Sequence, residues 1–197
     1  MECWRRVSAV VLAAGASTRF GLPKQLLPVA GTTMIEHILN IVVATQVDEV
    51  VVVLGHSATQ VAKHIPPGCR TVLNKDWEAG ISSSIRAGLA AIDHQAEAAL
   101  FVLADQPQVT SAAIERILQA YYGSTKPIVA PVYHGQRGTP VLFDRRLFPA
   151  LKALRGDVGG REVMARLADE IATVEMESPE MFLDIDTAAD YHRFLER

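Results

Sequence analysis

The sequence predicts an α/β fold: a three-layer α/β/α domain with a mostly parallel central sheet. Three observations predict it. Strand-length apolar runs alternate with segments of helical period along the chain. Three of those runs, at Val7–Leu12, Glu49–Leu54 and Ala98–Leu103, are apolar almost without interruption, as strands covered on both faces should be. The 197 residues contain no repeat, low-complexity tract or evident linker, so a single domain over residues 1–197 is expected.

Val7–Leu12 reads as the first strand. From Thr33 to Thr45, Met34, Ile35, Ile38, Leu39, Ile41 and Val42 fall on one helical face. Glu49–Leu54 is a second buried strand. Ser57 to Ile65 is a helix stopped by Pro66-Pro67, and Arg70–Leu73 a short strand ending at Asn74. Ser82 to Ile92 is helical and Ala98–Leu103 a further buried strand. Thr110 to Tyr122 carries Ile114, Ile117, Leu118 and Tyr121 at helical spacing. Ile128–Ala130 and Thr139–Phe143 read as strands, Arg145 to Leu154 and Arg161 to Ile171 as helices. Thr173–Met176 and Phe182–Ile185 read as late short strands. Thr187-Ala-Ala-Asp190 opens a last helix as a capping box with Asp in place of Glu.

Composition narrows the function classes. The chain is 49% hydrophobic and 21% charged, with a formal net charge of -3. No basic stripe stands out, so no nucleic-acid partner is expected. No stretch approaches the roughly 20 apolar residues of a membrane span. Cys3 and Cys69 fit neither a disulfide framework nor a zinc spacing, which suits a reducing cytoplasm. Arg5-Arg6 before an apolar run has the look of an export signal. Cleavage there would remove a central strand and half of the site described next, so the run is read as structure.

In parallel sheets ligands bind beyond the carboxyl ends of the strands. After the first strand comes Leu12-Ala-Ala-Gly-Ala-Ser-Thr-Arg-Phe-Gly-Leu-Pro-Lys24. Its glycines Gly15 and Gly21, hydroxyls Ser17 and Thr18, and cations Arg19 and Lys24 can cradle a polyphosphate. It is neither G-x-G-x-x-G nor a Walker-type loop, which argues against a dinucleotide-binding oxidoreductase and a P-loop ATPase. Asp105, after Leu103, and Asp186, in Asp184-Ile-Asp186-Thr187, are carboxylates at strand ends. Each can hold Mg²⁺ or serve as a cap. Asn74 to Ser84 enters a helix through Gly80 and three serines, and could offer N–H groups and hydroxyls to an anion or sugar, or simply cap. Gly156-Asp157-Val-Gly159-Gly-Arg161 is either a second anion grip or an interhelical turn. The six histidines form no i,i+4 metal pair.

These residues also carry a resemblance. Leu12-Ala-Ala-Gly-x-Ser-x-Arg-x-Gly-x-x-Lys24, followed by Gln25-Leu-Leu-Pro28 and Gly31, resembles the signature of the MobA-like nucleotidyltransferases. Asn74-x-x-Trp77-x-x-Gly80-x-x-x-Ser84, Leu103-x-Asp105-Gln106-Pro107, Gly138-x-Pro140, Gly156-Asp157-x-Gly159-x-Arg161 and Asp184-Ile-Asp186-Thr187 are similar to the molybdenum cofactor cytidylyltransferase branch. The resemblance implies a Rossmann-like nucleotide-diphospho-sugar transferase fold and Mg²⁺-dependent transfer of CMP from CTP to a molybdopterin-type phosphate. It implies catalytic Arg19, Lys24 and Asp105, with Asp105 and Asp186 as metal ligands. Nucleotide contacts would come from Leu12, Ala13, Ala14, Gly15, Ser17, Arg19, Lys24, Asn74, Gly80 and Ser84, with Ala14 favouring CTP over GTP. Acceptor contacts would come from Gln106, Gly138, Pro140, Asp157 and Arg161. A molybdenum hydroxylase is a further partner that the resemblance allows. The chain departs from the branch at Thr139, where relatives usually carry His, and at Gly160, where they usually carry Ala. Two alternatives stand beside it: transfer to a sugar or polyol phosphate, and a non-catalytic molybdopterin-delivery protein.

Overall fold

The computed structural model describes residues 5–17, 20 and 22–196. In chain order its strands are β1 (Val7–Ala13), β2 (Pro28–Val29), β3 (Thr32–Thr33), β4 (Glu49–Leu54), β5 (Arg70–Leu73), β6 (Ala98–Leu103), β7 (Ile128–Tyr133), β8 (Gln136–Arg137), β9 (Val141–Asp144) and β10 (Ile171–Glu175). Its α-helices are α1 (Met34–Val43), α2 (Ala58–Val61), α3 (Ile81–Ala91), α4 (Ser111–Tyr122), α5 (Phe148–Ala153), α6 (Arg161–Arg166) and α7 (Ala188–Leu195).

The main sheet runs β10-β7-β9-β6-β1-β4-β5, with β8 added beside β7. The stretch β6-β1-β4-β5 is parallel throughout, and β10 pairs parallel with β7. β9 enters antiparallel between β6 and β7. The sheet is therefore mostly parallel but mixed, and its parallel half is made of the uninterrupted apolar runs.

Strand alternation divides the core. Ala9 and Val11 of β1 face α1 and α4, through Ile35, Ile38, Leu39, Ile114 and Leu118. Val10 faces the opposite layer, with Ile85, Leu89, Phe148, Leu151 and Met164. This gives the expected three layers. A third cluster of Leu27, Val29, Met34 and Ile185, with Phe20, Tyr191 and Phe194 against it, ties the C-terminal segment to the loop after β1. That tie positions Asp186.

Caps define the helices. Thr33 and Glu36 form a reciprocal capping box on α1, and Thr187 and Asp190 form one on α7. Several expected elements differ. Phe182–Ile185 is not a strand: a 3-10 turn over Glu180–Phe182 leads into extended chain, held by the Ile185 N–H donating to the Asp105 carbonyl at 2.9 Å. The helix expected over Arg145 to Leu154 begins as a 3-10 turn, Arg145–Leu147, before α5. The helix expected to reach Ile171 stops at Arg166, and Ile171 instead starts β10 beside Ile128. Likewise the segment expected as one helix from Ser57 to Ile65 is the short α2 followed by a 3-10 turn. β7 continues through Pro131, where pairing on one side passes from β9 to β8 and the missing donor is tolerated. No helix among the described residues is long and apolar enough to cross a membrane.

Candidate functional site

The carboxyl ends of β1 and β6 and the C-terminal segment converge on one ion cluster. The Lys24 ammonium donates to Asp105 Oδ2 at 2.6 Å and to Asp186 Oδ1 at 2.8 Å. Lys24 is set by a 3-10 turn after Pro23, Asp105 by the turn after β6, and Asp186 by the hydrophobic tie of Ile185. The side chains grade outward in exposure: 13% for Lys24, 23% for Asp105 and 49% for Asp186. Burial pushes the Lys24 ammonium down, and the carboxylates of Asp105 and Asp186 more than offset it, so it lies above its ordinary 10.5. A third carboxyl, Asp184, is pushed up by burial and then by the Asp105 charge. It accepts from Gln106 Nε2 at 2.8 Å.

The loop after β1 is built around Gln25. Its carboxamide donates to the Ala13 and Gly15 carbonyls at 3.2 Å each, while the Ala14 carbonyl takes the His56 N–H at 3.1 Å. Ser17 adopts a left-handed φ of 53° and its Oγ accepts the Lys24 N–H at 3.1 Å. The loop's carbonyls are thus tied inward, and among the described residues no acceptor takes the Gly15 or Ala16 N–H. A loop so arranged offers donors to an anion. Thr18, Arg19 and Gly21 lie outside the described residues, as does Cys3.

Beside this loop lies a cleft of ≈ 600 Å³, walled by Leu12, Ala14, Gly15, Trp77, Ile81 and Ser84 and reaching Asp105. Ala13 faces the other way, into the α1 side of the core. Asn74 stands behind the wall, 5% exposed. Its amide nitrogen donates to Ser83 Oγ at 2.8 Å and Ser84 Oγ at 3.0 Å, and its Oδ1 accepts from the Asp76 N–H. Asn74 therefore shapes the wall without lining it. Trp77 does line it, braced edge-on by His56 with ring centroids 5.2 Å apart. The sequence motif contains Trp77, but nothing in its spacing singled it out.

Of the two readings of the α3 N-terminus, ligand site or cap, the structure shows a cap, though not from the adjacent serines. Asp157 Oδ1 accepts the Ile81 N–H at 3.3 Å and the Gly156 carbonyl accepts the Ser82 N–H at 3.3 Å. A remote loop caps the helix in place of the adjacent serines. Gly80 permits this approach: its φ is +89°, and a Cβ there would stand 2.5 Å from the Asp157 nitrogen.

A second cleft of ≈ 290 Å³ adjoins the first and shares Leu12, Ile81, Leu103 and Asp157 with it. Its floor is apolar, with Ile85, Phe101, Val141, Phe143 and Met164, and Arg137, Thr139 and Arg161 also line it. Gly138 lines it too and lies against the Phe182 ring. Pro140, after a cis peptide, is buried behind. Gln106 is 3% exposed and both ends of its amide are engaged within the protein: Oε1 accepts from Thr139 Oγ1 at 2.5 Å, and Nε2 serves Asp184. It braces the cleft rather than facing it. Arg137 was not legible in the sequence, because a lone cation before Gly138 has no periodic signature. Gly160 has a clear cause: a Cβ there would stand 2.7 Å from the Phe143 ring.

The donor set at Asp105 and Asp186 fits a hard divalent ion. Two carboxylates already converge on one cation, the Lys24 ammonium, and Mg²⁺ commonly takes one or two carboxylates plus water and substrate phosphate oxygens. No group of three or more His, Cys, Asp or Glu among the described residues could hold a metal without such help.

Residues 9–171 match the MobA-like NTP transferase domain. Nicotine blue oxidoreductase of Paenarthrobacter nicotinovorans is 32% identical over 203 residues, covering 96% of each chain. The Mycobacterium tuberculosis H37Rv protein Rv0371c superposes with a TM-score of 0.88 at 31% identity, covering 98% of this chain and 100% of that one. A complex of Rv0371c with manganese superposes with a TM-score of 0.80 at 32% identity, over 97% of this chain and 98% of that one. A nucleotidyl transferase from Methanothermobacter thermautotroptrophicus, Mth528, gives 0.83 at 26% identity, over 97% of this chain and 96% of that one.

Proposed function

The chain belongs to the MobA-like NTP transferase family, and on that premise we propose that it transfers CMP from CTP to the phosphate of a molybdopterin-type acceptor, releasing pyrophosphate. The observation that carries the reading is the Lys24–Asp105–Asp186 cluster at the junction of an anion loop and a nucleotide-sized cleft. The manganese complex of Rv0371c supports a divalent ion, for which Mg²⁺ is proposed here.

The acceptor phosphate attacks the α-phosphorus of CTP and the bond to the β-phosphate oxygen breaks. The nucleophile is already anionic, so no general base is required. What remains is to hold two anions in line and offset their repulsion. Asp105 and Asp186 would hold the metal, which would supply Lewis-acid charge to the phosphates. The Gly15–Ser17 backbone, Lys24 and Arg19 bind the β- and γ-phosphates and the departing pyrophosphate. Leu12, Ala14, Trp77, Gly80 and Ser84 enclose the base and ribose, with Asn74 fixing their wall. Ala13 contributes backbone only. Arg161 and Arg137 pair with the acceptor's charges above the apolar floor. Gly138 and Asp157 shape that wall, and Gln106 and Pro140 support it. A cytoplasmic location and delivery to a molybdenum hydroxylase belong to the same proposal.

The test is a thermal-shift panel of CTP, GTP, ATP and UTP with Mg²⁺, followed by pyrophosphate release with molybdopterin as acceptor. A selective CTP shift with acceptor-dependent pyrophosphate supports the reading. Pyrophosphate release only with sugar or polyol phosphates, or pterin binding without pyrophosphate, replaces it by the corresponding alternative.

A second reading has one specific observation in its favour. A relative matching this chain over nearly its whole length is named an oxidoreductase, so the missing G-x-G-x-x-G does not dispose of redox chemistry on this fold. In that reading the larger cleft takes a reduced nicotinamide nucleotide and the apolar cleft a planar hydride acceptor. Oxidation of NADH or NADPH in the presence of a quinonoid dye tests it.

A further inference from the structure

We propose that Lys24 is an internal counter-ion occupying the metal's own seat, so that the divalent ion binds weakly to the chain alone and tightly only together with the nucleotide. A Mg²⁺ on Asp105 and Asp186 needs carboxylate oxygens at about 2.0–2.1 Å. The Lys24 ammonium already lies 2.6 and 2.8 Å from one oxygen of each. Ammonium and dication cannot share that space, and two cations held that close repel one another.

The backbone of Lys24 cannot yield. Its N–H is fixed to Ser17 Oγ, and its carbonyl takes the Leu27 N–H at 3.1 Å. Only the four-carbon stem can swing. Swinging out strands a buried ammonium unless another anion receives it. The nearby Asp184 carboxyl already takes the Gln106 amide at 2.8 Å. The anion loop beside Lys24 is where a polyphosphate would lie, and a phosphate there gives the ammonium a new partner as the metal enters. The identity of that displacing anion rests on the nucleotidyltransferase reading; the competition between Lys24 and metal does not.

The experiment is Mn²⁺ binding to the isolated full chain, followed by electron paramagnetic resonance with no nucleotide present. Lys24→Met should bind Mn²⁺ about tenfold or more tightly than wild type. Adding Asp105→Asn to that variant should abolish the gain, and Arg161→Met, which removes a cation from the other cleft, should give no comparable gain. Equal or weaker Mn²⁺ binding by Lys24→Met, or an equal gain from Arg161→Met, overturns the proposal. A measurement on wild type guards against a misfolded variant. Saturating Mn²⁺ should raise the rate at which acetic anhydride acylates Lys24, read by peptide mass spectrometry, and an unchanged rate also overturns it. Neither arm reads pyrophosphate, so failure of the transfer reading and failure of this proposal are separable.

Discussion

The two clefts meet at Leu12, Ile81, Leu103 and Asp157, yet they are built on different principles. The larger stands on the carboxyl ends of parallel strands, and its polar groups are tied down: Gln25 holds the loop carbonyls, Asn74 holds Ser83 and Ser84, and Lys24 holds two carboxylates. The smaller rests against the antiparallel strand β9 and the loop before α6, with an apolar floor and two arginines that have no carboxylate partner among the described residues. Preorganised polarity suits one fixed chemical group, such as a triphosphate. An apolar floor with unpaired cations tolerates different bodies carrying a common negative charge.

Breaking the larger cleft should have the largest effect. Asp105→Asn is expected to lower pyrophosphate release by about a thousandfold or more while the chain stays folded by circular dichroism. Normal turnover would remove Asp105 from the chemistry. Lys24→Ala should cost roughly 2–4 kcal/mol of transition-state stabilisation in kcat/KM, the loss of one charged donor to the phosphates. Unchanged kinetics would make Lys24 an ion-pair residue and nothing more.

Changes in the smaller cleft should be milder and should leave nucleotide binding alone. Gly160→Ala pushes a methyl at the Phe143 ring, and overpacking of that kind costs about 1–3 kcal/mol. Thermal unfolding should register the loss, and KM for the acceptor should rise while the CTP-induced thermal shift is unchanged. At the junction, Asp157→Ala removes the remote cap of α3 and should cost about 1 kcal/mol, measured by denaturant titration. The smallest effect is in alkali. The folded Lys24 value lies above the ordinary 10.5, so its ion pairs stabilise fully below that value and are lost as pH rises through the folded one. The stability difference between wild type and Lys24→Met should be flat from about pH 7 to pH 10 and shrink above it.

The contrast between the clefts also explains what could be read beforehand. β1, β4 and β6 are legible because burial on both faces demands unbroken apolar runs, and a carboxylate just beyond such a run is conspicuous. Asp105 was visible for that reason. Asp186 was expected at a strand end and instead follows extended chain after a 3-10 turn; it still comes beside Lys24 because the buried Ile185 anchors the segment. Tertiary satisfaction was not legible. Nothing local says that Asp157 caps a helix 76 residues away, or that Gln106 turns inward to Thr139 and Asp184. Pro131 hid the second half of β7, and Pro28-Val29-Ala30-Gly31 hid a two-stranded hairpin, because both depend on which neighbours pair.

Nucleotidyl transfer at the Lys24–Asp105–Asp186 corner, as proposed, can be tested against hydride transfer directly. The most direct measurement is one reaction mixture containing CTP, Mg²⁺, molybdopterin, NADPH and a quinonoid dye, read for pyrophosphate and for NADPH oxidation, with wild type and Asp105→Asn side by side. Wild type should release pyrophosphate in an acceptor-dependent way, Asp105→Asn should not, and neither should oxidise NADPH. Oxidation of NADPH without pyrophosphate from wild type would contradict the transfer reading.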